Sequence, residues 1–72
     1  MKSLAVLLLV LNLNTATVEQ LERLPGVGPT LARRIVEFRE KKGPFKRVEE
    51  LLAVRGVSEK KWKVLQQYLT VK

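Results

Sequence analysis

Shifted against itself by thirty positions, the chain aligns with its own second half, and this repeat restricts the fold more than any other feature of its 72 residues. The stretch VEQLERLPGVGPTLARRIVEF, Val18 to Phe38, falls on VEELLAVRGVSEKKWKVLQQY, Val48 to Tyr68. Val18, Glu19, Leu21, Gly26 and Val27 meet identical residues at Val48, Glu49, Leu51, Gly56 and Val57. Leu24 pairs with Val54, Arg33 with Lys63, Ile35 with Leu65 and Phe38 with Tyr68. A unit this small cannot bury its own apolar face, so the two copies are expected to pack together about a pseudo-two-fold axis. The chain is long enough for one such body and no more.

Each copy spells helix, break, helix. Thr17 is an N-cap, Gln20 three residues on completes a capping box, and Val18, Leu21 and Leu24 share one stripe of the helix that follows. Pro25 and Gly26 end that helix. Pro29 falls at the first position of the next, where its fixed φ suits and its missing N–H would have no partner anyway. Leu31, Ile35 and Phe38 recur at helical spacing until Gly43 and Pro44 stop the run. The connector Gly43 to Arg47 supplies Phe45 as a plug between the copies. The second copy restarts at Val48 without a side-chain cap, since Arg47 stands opposite Thr17, and with Glu49 and Glu50 in its first turn. Ser58 reads as the N-cap of a last helix carrying Trp62, Leu65 and Leu69 inward. Apolar residues rarely alternate, so strand signals are weak and the expected fold is all-α.

Charge narrows the function. Fourteen Lys and Arg oppose seven Glu and no Asp, a formal +7 whose field attracts polyanions, nucleic acid and anionic membrane foremost. There is no Cys for a disulfide or a thiolate site, and no His, the commonest metal ligand. Without Asp or His, a catalytic base or a metal-binding carboxylate cluster is hard to assemble, and the Glu residues read as caps and surface pairs. The chain is therefore expected not to be an enzyme. Phe38, Phe45, Trp62 and Tyr68 read as core rather than as base-stacking platforms, because three of them fall on apolar helical stripes.

The opening MKSLAVLLLVL stands apart, with eight consecutive apolar residues from Leu4 to Leu11. Spanning a bilayer takes about 20. The run has the length of a signal-peptide apolar region, yet no small-x-small cleavage site follows before NLNTAT. Residues 1–12 are accordingly set aside as an apolar arm, a signal or anchor remnant that contacts membrane or supports self-association. Residues 13–72 form the folded domain.

The break LPGVGPT, Leu24 to Thr30, carries the functional signal. Glycines at 26 and 28 permit a tight turn and strip away side chains, so that another group can approach the main chain. The N–H groups of Gly26 and Gly28, joined by those of Thr30 and Leu31 in the first turn of the next helix, would form a phosphate-accepting concavity, with Val27 anchored inward. A lone Gly-x-Gly is equally well a plain corner. Here the corner recurs at Gly56, Val57 and Ser58, and basic residues follow it each time: Arg33 and Arg34, then Lys60, Lys61 and Lys63. That doubling suits two equivalent anions better than two accidental bends.

LPGVGPTLARRI resembles the helix-hairpin-helix DNA-binding motif, and the chain from about Leu13 to Val71 is similar to the tandem helix-hairpin-helix domain of ComEA-type competence proteins. LNLNTAT, the first hairpin, GPF and the second hairpin occur in the family's order and spacing. The resemblance implies sequence-independent binding of double-stranded DNA, with the two hairpins gripping phosphates of opposite strands across the minor groove. It further implies DNA uptake in natural transformation, at the bacterial cell envelope and with an N-terminal membrane tether. A monovalent cation held by the carbonyls of Glu22, Leu24 and Val27 is implied as well. Ser58 departs from the family's pattern, adding a β-carbon near the second phosphate and a hydroxyl able to donate to it. The alternative function is a protein-assembly module that uses the paired units and the apolar arm.

Overall fold

The asparagines of NLNTAT act as clamps in the computed structural model, which describes residues 10–71. Asn12 accepts the Asn14 N–H on its side-chain oxygen at 2.8 Å, closing a local turn. Asn14 then treats Phe45 as a strand would treat its neighbour. Its side-chain oxygen accepts the Phe45 N–H at 2.7 Å and its amide donates to the Phe45 carbonyl at 3.0 Å. Arg39 donates to the carbonyls of Leu13 and Ala16 at 3.0 and 2.7 Å, tying the same turn to the long helix. Residues 1–9 of the apolar arm lie outside the described residues, and with them the expected membrane contact and self-association.

The elements run β1 (Leu11–Asn12), α1 (Val18–Glu22), α2 (Pro29–Lys42), a 3-10 helix (Val48–Ala53), α3 (Glu59–Leu65), a 3-10 turn (Gln66–Tyr68) and β2 (Leu69–Thr70). Thr17 and Gln20 form the reciprocal capping box expected of them. Pro29 is the first residue of α2, and Gly43, at φ 94°, closes that helix. Leu21, Leu51, Ile35 and Leu65 are fully buried, and Leu24, Val54, Val27 and Val57 lie beside them in one core with Phe45. Phe45 stacks on Phe38 with ring centroids 5.2 Å apart. The indole N–H of Trp62 donates to the Val48 carbonyl at 3.1 Å, so the Trp62 ring braces the second unit from within.

Two expectations need correction. The second unit opens not with an α-helix but with the tighter 3-10 form, because Arg47 offers no side-chain acceptor. Its amides turn instead to carbonyls three residues back, as Glu50 N–H does with Arg47 at 3.1 Å. The last helix also stops short of Leu69. After Leu65 the chain tightens and straightens into β2, where Leu69 pairs in parallel with Leu11 and Thr70 with Asn12. Leu69 is buried as expected, but from a strand. The fold remains all-α apart from this two-residue ladder, whose first strand comprises the last two residues assigned to the arm.

Candidate nucleic-acid interface

The two hairpins lie together, each covered by the other unit. A β-carbon placed on Gly26 would sit 3.6 Å from Lys61 Cε, and one on Gly56 3.4 Å from Leu31 Cδ1. Leu31 and Lys61 are themselves thirty residues apart, so the exchange is reciprocal, as a pseudo-two-fold axis requires. Gly26, at φ 78°, and Gly56, at φ 99°, occupy the left-handed region that favours glycine. Gly28 does not. Its φ is −100°, and a β-carbon there would meet nothing within 4 Å, so neither the turn nor the packing requires glycine at this place.

Among the described residues the N–H groups of Gly26, Gly28, Thr30 and Leu31 have no intramolecular acceptor. The first bond of α2 runs from Ala32 N–H to the Gly28 carbonyl at 3.0 Å. Four donors thus cluster at a positive helix end. Val27 takes no part through its amide, which donates to the Leu24 carbonyl at 3.1 Å, and its side chain is buried. Val57 repeats this with Val54 at 3.1 Å. Both valines hold their loops in shape.

The second hairpin differs at the place of the missing glycine. Ser58 caps α3, its hydroxyl oxygen accepting the Lys61 N–H at 3.1 Å. The hydroxyl therefore occupies a main-chain donor whose counterpart, the Leu31 N–H, is open in the first hairpin. It keeps its own proton for an incoming oxygen.

Arg33, Lys60 and Lys63 are exposed and, among the described residues, form no ion pair. Lys61 is half-buried by the stem that covers Gly26. Arg34, half-buried, lies across the second hairpin and donates to the Arg55 carbonyl at 3.2 Å. Pro25, Gly26, Ser58, Lys60, Lys61 and Val64 line one open cavity of about 410 Å³, which joins the first hairpin to the start of α3. Arg55, exposed beside Gly56, is a cation the sequence pattern passed over, although its place directly before the hairpin glycine was a usable signal.

The carbonyls implied as cation ligands fit that role in part. Leu24 already accepts the Val27 N–H, which leaves one lone pair. The carbonyls of Glu22 and Val27 accept no hydrogen bond among the described residues, and Pro25, three residues after Glu22, has no N–H to offer. Such a set of neutral oxygens suits a hard cation.

The helix-hairpin-helix motif family matches residues 9–70. The chain belongs to that family. This helix-hairpin-helix chain is 40% identical over 63 residues to ComE operon protein 1 of Bacillus subtilis, covering 88% of itself and 31% of that protein. It is 60% identical over 47 residues to human endonuclease/exonuclease/phosphatase family domain-containing protein 1, covering 65% of itself and 8% of that protein. An uncharacterized protein of Haemophilus influenzae is 46% identical over 48 residues, 43% of its length. The helix-hairpin-helix chain thus spans less than half of each of these relatives. Among the described residues no helix is long and apolar enough to cross a membrane.

Proposed function

We propose that this helix-hairpin-helix chain binds double-stranded DNA without regard to sequence and serves DNA uptake in natural transformation at the bacterial cell envelope. The observation that carries the proposal is the pair of hairpins lying side by side, with open main-chain donors and exposed cations at the start of each following helix. Main-chain amides read phosphate, which every sequence presents alike, so they position a duplex without selecting bases. The first hairpin supplies the amides of Gly26, Gly28, Thr30 and Leu31. The second supplies Gly56, the Ser58 hydroxyl and the cations Lys60, Lys61 and Lys63. A monovalent cation on the Glu22, Leu24 and Val27 carbonyls would add positive charge behind the first loop. The likeness to ComE operon protein 1 supports a role in competence. The likeness to the endonuclease/exonuclease/phosphatase family domain protein, confined to 8% of that protein, supports a binding module rather than a catalyst.

Affinity for random-sequence duplex, measured across a salt series, tests the proposal. With about four phosphates neutralised, affinity should fall by about a hundredfold between roughly 50 and 200 mM salt and vary little with base sequence. A flat salt response, or strong preference for one sequence, would refute it.

A further inference from the structure

The two hairpins share a path but not the means of holding it. The first is stiffened by its own sequence, with Pro25 before Gly26 and Pro29 after Gly28, each restricting its residue's φ. Thirty positions on, those places are held by Arg55 and Glu59, and the second hairpin contains no proline. It does contain Gly56, at φ 99°, with the conformational freedom that glycine brings. Into this proline-free loop reaches Arg34 from α2 of the first unit. Its Nη1 donates to the Arg55 carbonyl at 3.2 Å and lies 3.0 Å from where a β-carbon on Gly56 would stand. The residue equivalent to Arg34 in the second unit is Val64, which has no donor to return to the first hairpin.

The geometry points to Arg34 as a positioning residue that braces the second hairpin from outside, supplying the rigidity that prolines give the first. Its role rests on the duplex binding proposed above and refines it. Arg34 acts on DNA through the loop it holds, whereas Arg33, exposed and without an ion-pair partner, remains available to phosphate directly. The Nη1 bond to the Arg55 carbonyl fixes one end of the guanidinium, and exchanging that carbonyl for a phosphate would release the loop.

Arg34→Met separates the two roles. In the free protein, hydrogen exchange at Val57 N–H, which closes the second hairpin, should quicken about three- to tenfold while Val27 N–H is unchanged. On titration with random duplex, amide shifts at residues 56–61 should shrink and those at 26–31 persist. Affinity should drop, and any flattening of the salt slope should go together with the loss of shifts at residues 56–61 rather than occur without it. Adding Arg55→Pro and Glu59→Pro to the Met variant should restore the shifts. This pair leaves the net charge unchanged. It suits the backbone because Val54 (ψ 129°) and Ser58 (ψ 164°) are already extended, as residues before proline must be.

The brace is overturned if Val57 exchange is unaffected by Arg34→Met. It is equally overturned if that variant flattens the salt slope by about one phosphate's worth while residues 56–61 still respond, which would make Arg34 a direct ligand. If the unaltered protein fails to bind duplex, the proposed function falls. The exchange measurement, made without DNA, still decides the brace.

Discussion

Gly28 and Ser58 hold the same place in the two hairpins and treat the amides after them oppositely. Ser58 engages the Lys61 N–H, and Gly28 leaves the Leu31 N–H open. Ser58→Gly should therefore raise duplex affinity about twofold to threefold, because the freed Lys61 N–H, aligned with the positive helix end, outweighs the hydroxyl donor that is lost. The change should move Tm by about 2 °C or less, since glycine is nearly as good an N-cap. Gly28→Ser should do the reverse. Fluorescence titration and a melting curve on the same samples check both, and equal affinities would show that the cap does not compete with phosphate. The two glycines of the first hairpin should also separate. Gly26→Ala, forced to φ 78°, should lose about 1–2 kcal/mol of stability, whereas Gly28→Ala, at an N-cap with extended backbone, should lose less than about 1 kcal/mol and lose affinity besides. The sequence marks both glycines identically. Only the backbone angles show that the turn requires glycine at 26 and not at 28.

At the scale of elements, the connection between the first turn and the connector rests on a single amide. Asn14→Ala removes two hydrogen bonds to Phe45, and should cost about 2–4 kcal/mol by urea unfolding. Phe45 N–H should at the same time lose its protection from exchange. An unchanged unfolding midpoint would mean that the stacked Phe38 and Phe45 rings hold the connector without help. The helix starts were legible because their causes are local: the capping box at Thr17, Pro29 at the first position of α2 and the Ser58 cap all lie within three residues of what they act on. The 3-10 form of Val48–Ala53 was partly legible in the missing cap at Arg47. The ladder of Leu11–Asn12 with Leu69–Thr70 was not. Two residues are too few to show alternation, and their partners lie at opposite ends of the chain.

At the scale of the molecule, a net charge of +7 on 72 residues acts on folding and on binding with opposite sign. Self-repulsion opposes the compact state, so added salt should raise the Tm of the free protein through its first few hundred millimolar, by about a few degrees. The same salt should weaken the duplex complex. The Tm gained by adding DNA should therefore shrink toward zero as salt rises, while the Tm of the free protein climbs. A free-protein Tm that falls over this range would show that attractive pairs, not repulsion, dominate its surface. The one ion pair among the described residues, Arg47 with Glu49 at 3.8 Å, is exposed and too weak to reverse the trend.

The sequence alone determined the repeat, the helical breaks, the buried stripes and the family likeness, because each follows from spacing within a few residues or from identity at a fixed offset. Tertiary structure decided which donors are open and which cations are free. Arg34 is drawn to a carbonyl twenty-one residues away, the Trp62 indole to one fourteen residues away, and the Asn14 amide to the Phe45 main chain thirty-one residues away. A hydrogen-bonding group's availability depends on every acceptor that folding brings within about 3 Å of it, and such neighbours are set by packing rather than by position along the chain.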